Sequence, residues 1–368
     1  MSAATTTTTS TTGPAGAPGT PGAPGATGTP GTTPEKSPRG RAPGARGATP
    51  PVVRLAGLTA GLGAILVALL ALFILPSLAS GAHDLPIGVV GDPAATAPVE
   101  TALDAAAPGA FAVEAFGTAD DLAQAVRGRD VVGGLVVTAD GLEAVVASAG
   151  STAISGSLTA AATAVGQATG LPVTVSDVVP LPADDPTGIG VGGLAFPLVF
   201  GGIVPVVAFR TVFPRSDGWK LAGLVTFAAV GGTVVAAVLQ LWFGSVEGVF
   251  WPVAGAMALG VAALAVPLAG LQQAFGAKGF TLGAMSMMFL GNPLAGIATT
   301  GAWLPPALGA LGQALPPGAA GTLVRSAAYF DGAGGLRAAL TLVAWVVVGA
   351  VLHVVGTRRA AARVTAGV

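Results

Sequence analysis

Between residues 190 and 356 the chain holds five long apolar runs with almost no charge inside them: 190–209, 221–243, 249–271, 279–300 and 338–356. A sixth run, 55–75, stands apart from that block. A helix rises about 1.5 Å per residue, so about 20 apolar residues cross the roughly 30 Å of a bilayer's hydrocarbon. All six runs approach or reach that length. The pattern predicts a polytopic α-helical membrane protein with six transmembrane helices, one followed by five.

The intervening segment, 80–188, has a different rhythm. Short β-branched runs at 85–90, 111–116, 131–137 and 173–179 alternate with amphipathic stretches at 94–106, 119–127 and 151–169. Strands and helices in alternation predict a small α/β domain between the first and second transmembrane helices. Asp120 and Asp121 near the start of one of these helices complement its dipole. The segment carries thirteen carboxylates against Arg127 and Arg129, so it is strongly acidic. Asp184 and Asp185, flanked by Pro182, Pro186 and Gly188, read as a solvated turn leading into the apolar block.

Residues 1–53 are a low-complexity tract of Thr, Pro, Gly and Ala. Glycine recurs at every third position from Gly13 to Gly31, the period of a collagen helix, but seven triplets are too few to hold a trimer. The tract reads as a disordered tail. It ends in a basic cluster, Lys36, Arg39, Arg41 and Arg46, followed by Arg54 at the start of the first helix segment, 54–79. That helix is longer than a signal peptide's apolar core and its leader is far longer than usual, so it reads as an anchor. Gly57 and Gly61 make a small-residue pair on which another helix could pack closely.

Orientation follows from the basic residues, which are retained on the cytoplasmic side. Arg210, Arg215 and Lys220, then Lys278, then Arg358, Arg359 and Arg363 fall in alternate connections, on the same side as the basic tail. Both termini, including the tail 358–368, are expected in the cytoplasm and the α/β domain outside it. Arg325 and Arg337 in the outer segment 301–337 are the exception, offset in part by Asp331.

Composition narrows the chemistry. The chain is 52% hydrophobic and 9% charged, has no cysteine and only two histidines. Thiol chemistry and Cys-ligated metals are excluded, no phosphate-binding glycine loop precedes a lysine, and no nucleophile motif is present. Neither an enzyme nor a nucleic-acid binder is expected, and no metal or cofactor site is identified. The spans contain no mid-membrane Asp, Glu or Lys of the sort that carries a coupling proton, and His353 lies near the inner end of the last run. Gln240 and Asn292 are the polar residues within spans; each reads as an interhelical hydrogen-bonding group or as a lining of a substrate path. Pro197, Pro205, Pro267 and the Asn292-Pro293 pair are expected to kink their helices.

The segment 301–337 is long, semi-apolar and punctuated by Pro305-Pro306 and Pro316-Pro317-Gly318, which predicts a re-entrant or interfacial arrangement on the outer side. Here the residues resemble a known family. One helix, an outer α/β domain and five further helices, with Leu315-Pro-Pro-Gly-Ala319 and Arg325-Ser-Ala-Ala-Tyr-Phe-Asp-Gly332 before the last span, resemble the ABC type-2 permeases. Within these the chain is most similar to the branch of the YhgE and Pip (phage infection protein) membrane proteins. Leu85-Pro-Ile-Gly-Val-Val-Gly-Asp92 and residues 131–137 resemble strands of that branch's outer domain, and Asp177-Val-Val-Pro-Leu-Pro-Ala-Asp-Asp-Pro-Thr-Gly188 resembles its return to the membrane. The likeness spans 54–359, and the chain departs from larger members in lacking a long coiled-coil insertion.

The resemblance implies the permease subunit of an exporter in a bacterial plasma membrane. It would be dimeric with itself or a related chain and powered by ATP bound to a separate cytoplasmic ATPase. Its cargo is not identified by the sequence; the apolar, uncharged bundle is compatible with a lipid-like or amphipathic one. In such permeases the connection between the second and third helices docks the ATPase; here that connection holds Arg210, Phe213, Arg215, Asp217, Trp219 and Lys220. The alternative is a non-transporting scaffold whose acidic outer domain binds a cell-envelope partner.

Overall fold

The computed structural model describes residues 50–365. The first helix, α1 (Pro51–Leu78), leads into the α/β domain. There β1 (Leu85–Val90), α2 (Pro93–Ala106), β2 (Phe111–Phe116), α3 (Ala119–Gly128), β3 (Gly134–Val137), β4 (Leu142–Val146), α4 (Thr152–Thr169) and β5 (Val173–Asp177) follow in order. The tail 1–49, with its glycine triplets and basic cluster, lies outside the described residues.

The five strands form one sheet in the order β2-β1-β3-β4-β5, parallel except for the β3–β4 pair. Alternate residues of each strand point to opposite faces. Ile87, Val89, Leu135 and Val137 meet Val99 and Leu103 of α2 and Leu158 and Ala162 of α4 on one face. Val90, Val136 and Val145 meet Leu122 and Val126 of α3 on the other. Helix α3 is set by its caps: Thr118 accepts from the Asp121 amide at 3.1 Å, and Arg129 closes the end in the left-handed conformation. Its Leu122 seats directly over Gly88 and Gly134, where a Cβ would collide with the leucine side chain.

The strand at 142–146 was not expected. Its signal is the Asp140-Gly141 pair between two apolar stretches, a strong hairpin cue. The turn closes with Thr138 donating its amide to the Gly141 carbonyl at 3.0 Å.

After the domain the expected turn forms, closed by the Asp185 amide on the Pro182 carbonyl at 3.0 Å with Asp184 exposed, but Asp185 itself is buried rather than solvated. Its carboxylate accepts from the amides of Ile189 at 2.9 Å and Gly190 at 2.8 Å, capping the short α5 (Ile189–Gly192) where the chain returns to the apolar block. Then come α6 (Ala195–Val212), α7 (Asp217–Ala237), α8 (Phe250–Ser286), α9 (Pro306–Ala314), α10 (Pro316–Tyr329) and α11 (Leu336–Thr365). A π-helical turn, Val238–Trp242, extends α7, and another, Met287–Gly291, extends α8.

Among the described residues five helices are long and apolar enough to cross a membrane: Pro51–Pro76, Ile189–Val212, Asp217–Trp242, Phe250–Gly291 and Leu336–Arg363. The chain is a polytopic helical membrane protein. The expected run 249–271 and the first part of the run 279–300 fall in the fourth of these helices, which is not straight. Gly276 breaks it at φ 70°, ψ −157°. A Cβ on Gly283 would meet Leu271 at 2.6 Å and Leu268 at 3.0 Å. In an unbroken helix residues 268 and 283 would stand about 22 Å apart, so the chain folds back on itself at Gly276. The returning arm, 277–291, is roughly 22 Å long, shorter than the expected run 279–300, because Pro293 has no N–H to extend the ladder. The Asn292-Pro293 pair ends the helix rather than kinking it, and among the residues of α8 it is Gly276, not Pro267, that leaves helical geometry.

Helix α8 is the central member of the block. Its side chains Met257, Val261 and Leu264 pack with Leu198 of α6, Ala228 of α7, Ala320 and Val324 of α10 and Leu342 of α11. Helix α1 contrasts with it: Leu58, Leu62, Leu66 and Leu70 are all exposed, and nothing lies within 4 Å of a Cβ built on Gly57 or Gly61. Helix α11 runs past the expected end of the last span to Thr365.

Candidate functional site

The six residues expected to dock a partner surround the start of α7. Ser216 caps that helix by accepting from the Trp219 amide at 3.4 Å. Asp217, its first residue, forms an ion pair with Lys220 at 2.9 Å. The other Asp217 oxygen accepts from Gln273 at 3.0 Å and from Thr357 at 3.3 Å. One carboxylate thus joins the head of α7, the last turn of α8 before Gly276, and the end of α11. Phe213 stacks between Phe209 and Trp219, with centroids 6.3 and 6.2 Å away, while Trp219 stays 65% exposed. Arg215 is exposed beside them.

Arg210 turns toward α8. With the Gln272 amide oriented so that its oxygen faces the guanidinium, as the donors there require, that oxygen accepts from Arg210, with the Nε contact at 3.2 Å. Arg210, Lys220, Gln272, Gln273 and His353 line a cavity of about 250 Å³ between α6, α7, α8 and α11, floored by Val206, Phe209 and Leu224 and rimmed by Gly276. His353 is buried, and its Nδ1 has no partner. Gln273, Thr357 and His353 are members of this cluster that the sequence did not point to. Gln273 and Thr357 stand 56 and 140 residues from Asp217, and no local spacing links them.

The two polar residues within spans share a setting. Gln240 sits inside the π turn that ends α7, and Asn292 directly follows the one that ends α8. The side-chain oxygens of both are buried without a partner, so neither makes the interhelical bond expected through that atom. Wide π turns of this kind occur often at functional positions.

Pro316, Pro317 and Gly318 form the buried first turn of α10. A Cβ on Gly318 would collide with the Gly312 carbonyl, so the glycine lets α9 and α10 approach closely. At the far end of α10, Arg325 is buried and donates to the Ile297 carbonyl at 2.6 Å, while Tyr329 donates to the Ser245 carbonyl at 2.7 Å. Burial, and after it the charge of Arg129, holds the Arg325 pKa down to about 10; burial, then Asp185, pushes Tyr329 up to about 12. Phe330 completes the core of the α/β domain and lies 5.0 Å beneath the Arg129 guanidinium.

Beside α5, a groove of about 690 Å³ runs between the start of α6 and the end of α7. It is apolar along Leu194, Pro197, Val235, Val238 and Leu239, with Asp184 and Asp185 at one end. The groove and the basic cavity thus occupy opposite ends of the α6–α7 pair, one edged by carboxylates and the other by cations. Among the described residues no group of His, Asp and Glu is arranged to hold a metal ion.

Comparison of the chain with protein-family models, curated proteins and solved structures gives no match.

Proposed function

We propose that this chain is the membrane-spanning subunit of an ABC-type exporter in a bacterial plasma membrane. A separate ATPase docks on the 210–220 connection, and the chain pairs with a second copy or a related chain. The observation that carries this reading is the triple bond set of Asp217. A force applied at exposed Trp219 and Arg215 reaches α7 directly, and through Asp217 it reaches the Gly276 fold of α8 and the end of α11. Aromatic and arginine side chains are also the usual energetic centres of protein interfaces.

The family resemblance supports the same reading, with both termini cytoplasmic, the α/β domain outside and the returning arm 277–291 counted as the sixth crossing. In that frame the 301–337 segment is the outer re-entrant element. The groove beside α5 offers an amphipathic cargo an apolar wall with a polar end.

The test is the doubly substituted Arg215→Glu, Trp219→Ala chain. Purified from native membranes, it should retain less than about a tenth of the ATPase bound by the unmodified chain, since each hot-spot loss is worth about 2 kcal/mol. Equal retention would remove the connection from the mechanism. Absence of any co-purifying ATPase would favour a scaffold that presents its acidic domain to an envelope partner.

A further inference from the structure

The cavity behind the docking connection has a chemistry of its own. Its polar lining consists of Arg210, Lys220, Gln272, Gln273 and His353, and no carboxylate is among the lining residues. Asp217 lies just outside the lining and is already occupied by Lys220, Gln273 and Thr357. It offsets one of the two fixed cations, leaving one net positive charge. Donors remain available. Lys220 spends two of its three protons, on Asp217 at 2.9 Å and the Pro214 carbonyl at 3.4 Å. Gln272 gives its oxygen to Arg210, which leaves its amide N–H groups as donors. His353 adds a buried ring nitrogen without a partner.

We propose that this cavity is a binding site for a singly charged phosphate group. The charge matches: one net positive charge receives one negative charge. Arginine and lysine together supply the fork and the point charge that phosphate oxygens accept from most strongly. The size matches as well, because about 250 Å³ is below the roughly 300–1,000 Å³ of pockets for drug-sized ligands. Val206, Phe209 and Leu224 give the carbon attached to the phosphate an apolar floor. Two sources carry a singly charged phosphate: the phosphodiester headgroup of an anionic phospholipid, for which basic pockets between membrane helices are a known setting, and free phosphate in its monobasic form. Occupation would brace α6, α7, α8 and α11 at the point where the connection meets them. The site is read from the chain alone and does not require an ATPase.

The full chain, without any ATPase, is reconstituted in nanodiscs of phosphatidylcholine with or without phosphatidylglycerol, and its thermal midpoint and bound lipid are measured. Inorganic phosphate is added to the phosphatidylcholine discs as a separate arm. Phosphatidylglycerol should raise the midpoint saturably and be retained in native mass spectra. Arg210→Gln and Lys220→Gln should each weaken that response about tenfold, with partial recovery in Arg210→Lys. Arg358→Gln, which removes a basic residue outside the cavity, should leave it unchanged. A midpoint rise produced by inorganic phosphate alone, and lost in the same variants, would identify the free anion as the occupant. Equal midpoints in both lipid mixtures with no phosphate effect would overturn the site, and this comparison needs no substituted chain. A response that Arg358→Gln weakens as much as Arg210→Gln would reduce it to general surface charge. These outcomes are independent of whether an ATPase docks.

Discussion

Tyr329 is the chain's single tyrosine, and its phenol lies where the α/β domain meets the helical block. Burial penalises the phenolate most, Asp185 adds to that penalty, and Arg325 works against it, so the pKa rises to about 12. The folded phenol therefore keeps its proton above the ordinary value of about 10. Its contribution to stability is fully present below about pH 10 and is lost as pH rises through about 12. Arg325 behaves oppositely. Its guanidinium is held down to about 10, so burial penalises the charged form at lower pH and that penalty is relieved above it. Because the two effects oppose each other in one window, global stability is a poor reporter there, and tyrosinate absorbance is a direct one. A titration of the folded chain should show a midpoint near 12, moving to about 10 in denaturant; a folded midpoint at 10 would mean that the phenol is not enclosed. Tyr329→Phe removes the bond to the Ser245 carbonyl and should cost about 1 kcal/mol in thermal or denaturant unfolding.

Between helices, small residues decide which contacts are tight. A Cβ on Gly349 of α11 would come within 2.6 Å of the Pro267 Cα, and one on Gly232 of α7 would meet the Ala254 carbonyl at the same distance. Valine at 349 must push α11 away from α8, so Gly349→Val should destabilise the chain by about 1–3 kcal/mol. Gly61→Val on α1 should leave the melting midpoint where it was, since nothing lies within 4 Å. Equal effects from the two substitutions would mean that α1 is packed as closely as α11. The sequence made some of these elements plain and hid others. Strands 85–90 and 111–116 were legible to the residue because their β-branched runs are bounded by Gly, Pro and Asp. The strand at 142–146 was hidden because it follows 131–137 after so short a connection that only the Asp140-Gly141 turn marks it. The fold of α8 was legible as two apolar runs, but not the shortness of its second arm, which depends on where Pro293 falls relative to the π turn. At the site, Arg210 to Lys220 could be read as one segment. Its partners Gln273, His353 and Thr357 could not, since only tertiary packing brings α8 and α11 to it.

Arg325 and Arg337 apart, the charges of the described connections sort by end of the helical block. Asp217 bonds to Gln273 and Thr357, which places the end of α6, the head of α7, the Gly276 fold and the end of α11 together. Arg210, Arg215, Lys220, Lys278, Arg358, Arg359 and Arg363 all belong to those four places. Asp184, Asp185 and Glu247 belong to the opposite connections, alongside the acidic α/β domain. Such a gradient sets orientation because positive residues resist translocation. With no native cysteine to interfere, one introduced thiol can report each end. Gly218 suits the basic end, being exposed with open space around its Cβ, and Thr174 suits the domain, being exposed on the edge strand β5. On intact cells an impermeant maleimide should label Thr174→Cys and spare Gly218→Cys until the membrane is opened. The reverse pattern would invert the topology and place the docking connection outside the cell, where no ATPase could reach it. Labelling of both positions on intact cells would break the link between the charge gradient and orientation altogether.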